Sequence, residues 1–184
     1  MSCCVENDGG TLKVTLTFKR DQLLYDIKNY AYVESHVMPA ETEHAKHMVA
    51  DVGEDGNVDR MTRVIDLGVS MCRELLYPWA KKEIENTDFD DTLKERQQYV
   101  IVMNVPTTFS QTTLTLVERL IHEYLVCRGV ADWLSITNPA KSETWLAKAA
   151  EAETEIRTAI QSRLARTRIK QHWKEIEPDM KGDC

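Results

Sequence analysis

Two long amphipathic helical patterns occupy the last third of the chain and meet at residues 133–139. The first covers residues 111–129 and follows Ser110, a residue type that commonly caps helix N-termini. The second begins at Pro139 and extends to about residue 176, a length of roughly 55 Å if the helix is unbroken. Because 184 residues form one core of ordinary size, two such helices favour a largely helical fold.

The second of these helices carries a narrow stripe of mostly small side chains: Trp145, Ala149, Ala152, Ile156, Ala159 and Ile160. Small residues allow two helices to approach closely, so we predict that this stripe packs antiparallel on the preceding helix. The part beyond Leu164 is rich in arginine and is expected to project from the core.

Two short segments predict β-strands. Residues 11–18 alternate between apolar and polar side chains, and residues 98–105 are an apolar, β-branched run closed by Pro106. A two-stranded ribbon is only marginally stable alone, so we expect these strands to pair with each other or with a neighbouring subunit. Residues 1–10 are polar and end in glycine, and they are expected to form a flexible arm or one ordered only by a neighbour.

Three further helices are predicted before the second strand. Asp21 is placed to cap a helix over residues 22–37, a shorter helix covers 41–50, and a strong pattern covers 58–84, which Pro78 should interrupt near its end. The predicted fold is mainly α, a helical bundle with a long C-terminal helix and a small two-stranded β element. Its parts are a flexible arm (1–10), a helical core with two short strands (11–155) and a projecting basic helical tail (156–184).

The formal net charge of −7 argues against a general nucleic-acid binder, because Lys and Arg on phosphates supply most non-specific affinity. The charge is uneven, since residues 83–91 contain acids and no bases whereas residues 157–174 contain bases and no acids. Such polarity favours head-to-tail packing between copies, or a basic end that meets an acidic partner. The alternative interpretation is two solvated faces.

The five cysteines form no C-x-x-C pair, which indicates free thiols in a reducing compartment. Cys72 and Cys127 fall inside amphipathic patterns and are predicted to pack as small hydrophobes. No apolar run approaches the roughly 20 residues needed to span a bilayer, so the protein is not expected to be embedded in a membrane.

Candidate metal ligands are His36, His44 and His47, together with Glu41 and Glu43. His44 and His47 lie about one helical turn apart, a spacing that metal sites use. No zinc signature accompanies them, and a solvated polar face is the alternative. Residues 51–59 resemble a calcium loop, but they lack a side-chain oxygen at the third position and the later bidentate glutamate.

No phosphate loop, nucleophile elbow or dinucleotide fingerprint occurs in the sequence. Ser70, His122 and Asp132 are a trio that only the fold could bring together, and alone they do not indicate a reaction. The sequence therefore predicts a protein that is not an enzyme, with no catalytic residues, no cofactor and no metal site.

Trp133 and Trp145 flank the turn between the last two helices. Each is large enough to anchor a subunit interface, and each could instead form a buried aromatic elbow. With four arginines of the C-terminal segment they are the candidates for a subunit interface: Trp133, Trp145, Arg157, Arg163, Arg166 and Arg168.

A resemblance rests on these same regions. The chain carries LIHEYLV at residues 120–126, ADWLSITNP at residues 131–139, then Trp145 and the arginines of residues 163–168. Over about residues 11–170 it resembles proteins encoded in prophages of Bacteroides-type gut bacteria. Among virion proteins, an acidic and mostly helical chain with a long terminal helix is similar to the head-tail connector (neck adaptor) proteins of tailed phages. This chain is longer than their compact bundle and has the strand-forming stretch at 99–105, which leaves the subtype open.

The resemblance implies a structural ring component located in the neck of a virion, and in the cytoplasm of the bacterial host during assembly. Its implied partners are copies of itself, the portal protein, and tail or neck proteins. It implies no membrane and no sequence-specific nucleic acid, although packaged DNA would lie nearby. Alternatives are another tail component such as a tail terminator, or a small phage-encoded protein that binds a host factor. The latter should be a monomer or dimer with one concentrated apolar patch.

Overall fold

The structure, a computed structural model, describes residues 2–8, 10–39, 43–80 and 97–161. These ranges contain six α-helices and a small antiparallel sheet, which confirms the mainly helical class with a minor β element. In chain order the elements are β1 (Ser2–Asp8), β2 (Thr11–Lys19), α1 (Arg20–Val37), α2 (Glu43–Ala50), a 3-10 turn (Asp51–Gly53), α3 (Asp55–Leu75), α4 (Tyr77–Ala80), β3 (Gln98–Pro106), α5 (Gln111–Thr137) and α6 (Pro139–Gln161).

The two predicted strands are present and pair with each other. β2 and β3 run antiparallel, with Thr15 opposite Val102 and Phe18 opposite Tyr99. Val14 and Leu16 of β2 are fully buried, like the alternate residues of β3. One face of the sheet therefore belongs to the core, as the alternation in the sequence predicted.

A third strand lies where the sequence analysis expected a flexible arm. β1 pairs antiparallel with β2, with Val5 opposite Val14 and Asp8 opposite Thr11, so the strand order is β1-β2-β3. The hairpin loop is only two residues long, and Gly10 has a φ of 114°. Two-residue hairpin loops require positive φ, which glycine adopts without strain. Residues 2–8 are thus ordered by their own chain.

β2 passes directly into α1, which begins at Arg20. Asp21 was predicted as the N-cap, but Lys19 occupies that position and no side chain caps the helix. The backbone N–H of Arg20 instead donates to the carbonyl oxygen of Gln97 at 3.1 Å. The partner of this helix start thus comes from a segment distant in sequence.

α3 ends at Leu75, well before the predicted end at residue 84. Pro78 has no N–H to donate to the carbonyl of Glu74, and its ring would clash with that group in a continuous helix. The chain restarts as α4, in whose first turn a missing N–H is tolerated. The predicted interruption is confirmed, and residues 81–84 lie outside the described ranges.

α5 continues without a break to Thr137, so the predicted turn at 133–139 was too wide. Only Asn138 leaves helical geometry, with φ −149° and ψ 76°. α6 then returns along α5, and the hydroxyl of Ser142 donates to the carbonyl oxygen of Ala131 at 2.8 Å. The antiparallel packing of the last two helices is confirmed.

The small-residue stripe of α6 forms the contact with α5. Trp145, Ala149, Ala152, Ile156 and Ile160 are buried, and Ala159 is partly buried. The core therefore continues through Ile160, and the tail boundary predicted at residue 156 lies too early. The predicted extension of the helix to residue 176 falls outside the described part of the chain.

α5 is the central helix and packs against α1, α2, α3 and α6. Two glycines allow the closest of these approaches. A Cβ at Gly129 would lie 2.5 Å from Cδ1 of Ile27 on α1, and one at Gly68 would lie 2.7 Å from Cδ2 of Leu125. Among the described residues, no helix combines the length and apolar character needed to cross a membrane.

Candidate functional site

The two tryptophans proposed as interface anchors lie inside the chain. The indole N–H of Trp133 donates to the carbonyl oxygen of Val49 at 2.8 Å, and that of Trp145 donates to Oε1 of Glu34 at 3.1 Å. Their side chains are 6% and 4% exposed, respectively. Because α5 does not turn at residue 133, Trp133 stays on its core face. The structure therefore places both rings in the core and removes them from the candidate interface.

Trp145 is also enclosed by its neighbours. Its ring centre lies 4.9 Å from that of Tyr30, and Nζ of Lys148 lies 3.9 Å from the ring centre. The contact with Tyr30 joins the start of α6 to the middle of α1, and the contact with Lys148 lies within α6. The alternative interpretation of a buried aromatic junction is thus the one that the structure supports.

Of the four candidate arginines, only Arg157 lies within the described residues. It is exposed and donates to Oε1 of Glu153, one helical turn earlier, at 2.7 Å. Such an exposed pair contributes little to stability. Arg163, Arg166 and Arg168 lie outside the part that the structure describes.

Ser70, His122 and Asp132 are not brought together. The hydroxyl of Ser70 donates to the carbonyl oxygen of Asp66 within α3. Asp132 pairs with Arg60 at 3.0 Å, and His122 pairs with an aspartate of α1. Each member of the trio therefore has its own partner in a different place.

The histidines considered as metal ligands occupy an exposed corner of the fold. Nδ1 of His36 lies 3.0 Å from the carbonyl oxygen of Tyr32, and the two rings are 4.2 Å apart. His44 and His47 are exposed on α2, while Glu41 lies outside the described residues. Within those ranges, no three His, Cys, Asp or Glu side chains are arranged to hold a metal ion.

A partly buried ionisable pair that sequence reasoning missed joins α1 to α5. Nε2 of His122 lies 2.7 Å from Oδ2 of Asp26, whose Oδ1 accepts a hydrogen bond from Gln22 at 3.1 Å. His122 is only 8% exposed. His122 precedes Leu125 by three residues and Val126 by four, a helical spacing that places it on a buried face. This spacing was the sequence signal that could have identified it. No local pattern could identify Asp26 as its partner, since the two are 96 positions apart.

The surroundings of this pair favour a structural role. Nδ1 of His122 is buried and has no hydrogen-bond partner in the described part of the chain, and the same holds for Oε1 of Glu118 one turn earlier. The observed contact is between α1 and α5, through Asp26 and His122.

The two thiols that the structure describes, Cys72 and Cys127, are expected to be poor nucleophiles. Burial raises the pKa of Cys72 to about 12, and burial together with Glu123 raises the pKa of Cys127 to about 12. Sγ of Cys127 also donates to Oε1 of Glu123 at 3.5 Å. Both side chains are fully or almost fully buried, which confirms that they pack as small hydrophobes.

Two surfaces remain apolar although they face solvent. The first, the α1 stripe, consists of Tyr25, Tyr32 and Val33, which are 65%, 55% and 51% exposed. Tyr25 lies about two turns before Tyr32 and Val33, and all three are on the side of α1 opposite its buried residues. Exposed apolar side chains grouped on one element often mark an interaction site.

The second surface, the acidic groove, lies between α5 and α6. It is lined by Leu116 and Leu120 from α5 and by residues of α6: Glu151, Thr154, Glu155, Thr158 and Ala159. Its volume is about 640 Å³, and Leu116 is 49% exposed in it. The groove thus combines an apolar floor with a rim of negative charge.

Comparison of the chain with protein-family models, with curated proteins and with solved structures finds no match. The geometry of the two surfaces is therefore the basis for a functional interpretation.

Proposed function

We propose that this protein is a structural virion protein of a tailed bacteriophage. In this role it is a head-tail connector or neck adaptor subunit that assembles into a ring between portal and tail. Its partners are further copies of itself, the portal protein and the adjoining neck or tail proteins. It acts through contacts and performs no reaction. The resemblance carried by residues 120–139 and by the arginines beyond them supports this proposal.

The observation that carries the proposal is the presence of two different exposed apolar surfaces on different helices. The α1 stripe is rich in tyrosine, whereas the acidic groove is lined by leucine, threonine and glutamate. A twofold dimer needs only one self-complementary surface. A ring needs two unlike surfaces on each subunit, because each contact joins one face of a copy to another face of the next.

The test is the mass of the purified full-length protein by light scattering at about 0.1 M and about 1 M salt, followed by negative-stain imaging. The Debye length falls from about 10 Å to about 3 Å over this range. We expect a closed assembly of many copies with a central hole, and a smaller mass at high salt because charged surfaces contribute to the contact. A monomer or dimer at every concentration and both salt conditions would contradict self-assembly.

The α1 stripe favours a second candidate function, the binding of a host factor by a small phage-encoded protein. That protein would use the stripe as its one contact surface and would remain a monomer or dimer. The same light-scattering experiment separates the two functions. Imaging separates the connector from a tail terminator only when the portal or the tail is added, since either protein would form a ring.

A further inference from the structure

The acidic groove is an open depression whose chemistry suits an amphipathic segment. Leu116 and Leu120 are one helical turn apart on α5, and Leu120 is half-buried while Leu116 is exposed. The hydroxyls of Thr154 and Thr158 donate to carbonyl oxygens of their own helix, at 2.9 Å in both cases. The polar atoms of these threonines are therefore already partnered, so the rest of the lining favours apolar contact.

The charge on the rim is not neutralised within the described ranges. Glu151 and Glu155 are exposed and one helical turn apart, and neither forms an ion pair there. Glu153, which points to the other side of α6, is already paired with Arg157. Two unpaired carboxylates beside an apolar floor favour a ligand that alternates bases with apolar residues.

The chain itself contains such a segment directly after α6. Residues 162–174 follow Gln161 and carry five bases and no acids: Arg163, Arg166, Arg168, Lys170 and Lys174. Leu164 and Ile169 supply apolar side chains between them. The segment therefore matches the groove in charge and in apolar character.

The sequence around Gln161 favours a second copy, and not the same copy, as the source of the segment. Glu155 and Ala159 of the groove precede the segment on the same helix, so the chain would have to reverse immediately after Gln161. No glycine or proline occurs between residues 140 and 177 to form such a reversal. The sequence after α6 therefore lacks the residue types that favour a tight reversal, which favours the groove of a second copy.

We propose that the acidic groove between α5 and α6 binds the basic segment 162–174 of a second copy of this chain. The groove and the segment are different surfaces, so the contact is head-to-tail and repeats from copy to copy. This inference rests on the proposed function and names one of the contacts that would hold neighbouring subunits of the ring together.

The test measures the groove separately from assembly. The receiver is the full-length protein with Arg163→Gln, Arg166→Gln and Arg168→Gln, whose own segment has lost these three charges and so competes less for either form of the groove. The probe is a fluorescein-labelled synthetic peptide with the natural sequence of residues 162–176, and fluorescence anisotropy reports its binding. We expect saturable binding that weakens as salt rises from about 0.1 M to about 1 M.

Charge reversal in the groove gives the decisive comparison. Adding Glu151→Lys and Glu155→Lys to the receiver should weaken peptide binding at least about tenfold, because attraction becomes repulsion. Glu151→Gln with Glu155→Gln should weaken binding less, and this pair keeps the test valid if the lysine variant loses its thermal transition. Glu143→Lys is the matched control, since Glu143 is exposed on α6 but does not line the groove. It should leave binding unchanged.

Light scattering then tests whether the contact forms between copies of the protein. Reversing either the groove or the segment, the latter with Arg163→Glu, Arg166→Glu and Arg168→Glu, should lower the mass of the assembly, and combining both reversals should restore it. Absence of peptide binding, or equal binding by the lysine variant, overturns the inference even if the natural protein forms rings. Peptide binding with open chains in place of rings supports the inference and contradicts the ring function. Peptide binding by a protein that is always a monomer overturns the second-copy contact and the ring together.

Discussion

The substitution Gly129→Ala, which adds one methyl group, tests how closely α1 and α5 approach each other. In the structure, a Cβ at this position would lie 2.5 Å from Cδ1 and 3.1 Å from Cγ1 of Ile27, where ordinary contact begins at 3.4 Å. Ile27 is fully buried and cannot move into solvent. Gly129→Ala must therefore push the helices apart or force Ile27 out of its rotamer.

The expected magnitude follows from two opposing effects. Overpacking of this kind costs about 1–3 kcal/mol, whereas alanine is favoured over glycine inside a helix by about 1 kcal/mol. We expect Gly129→Ala to lower the free energy of unfolding by about 1 kcal/mol, measured by urea denaturation at one fixed protein concentration. Gly56→Ala in α3 is the matched control, because a Cβ there has no neighbour within 4 Å. It should stabilise by about 0.4–1 kcal/mol.

A double-mutant cycle identifies the cause. Ile27→Val removes Cδ1, the nearer of the two atoms, and alone should cost about 1 kcal/mol. In that background Gly129→Ala should become neutral or stabilising, so the two changes should couple by about 1–2 kcal/mol. If Gly129→Ala stabilises the natural protein as much as Gly56→Ala does, the close approach of α1 and α5 is refuted.

Two further predictions concern other parts of the core. Trp133→Phe leaves the buried carbonyl of Val49 without its donor and should cost about 1–3 kcal/mol in urea denaturation. Trp79→Phe, which removes an indole N–H without a partner in the described chain, should cost less, and equal costs would refute the role of the hydrogen bond. Because burial raises the pKa of Cys72 and Cys127 from 9.0 to about 12, the folded protein keeps protons that the unfolded chain loses above about pH 9. Its free energy of unfolding should therefore fall as pH rises from about 9 to 10, by up to about 1.4 kcal/mol per thiol. If the variant with Cys72→Ala and Cys127→Ala shows a fall of the same size, groups other than these two thiols cause it.

The elements with strong periodicity could be predicted from the sequence. The alternation of residues 11–18 and the small-residue stripe of α6 identified a strand, a helix and their buried faces. β1 was missed because its residues do not alternate, although the glycine pair before Thr11 is a hairpin signal. β1 is ordered by its hydrogen bonds to β2, and it can form these bonds only after β2 has taken its place in the sheet.

The candidate interface residues show a similar difference between what the sequence could predict and what it could not. Size and position suggested that Trp133 and Trp145 face a partner, whereas each donates a hydrogen bond to an acceptor on another helix of its own chain. The Asp26–His122 pair and the acidic groove each need two helices to exist. Features built from distant segments carry no local pattern, so sequence reasoning could name at most one half of each.

The sequence by itself determined which of the strongly periodic segments become helices and strands and which of their faces are apolar, because side-chain periodicity acts within a few residues along the chain. It also determined the positions of the Pro78 interruption and of the basic segment after α6. Only the tertiary structure decided where α5 ends, which tryptophans are buried, and where Leu116 and Leu120 meet Glu151 and Glu155. Those outcomes depend on hydrogen bonds and packing between elements far apart in sequence, and such contacts form only when the chain folds.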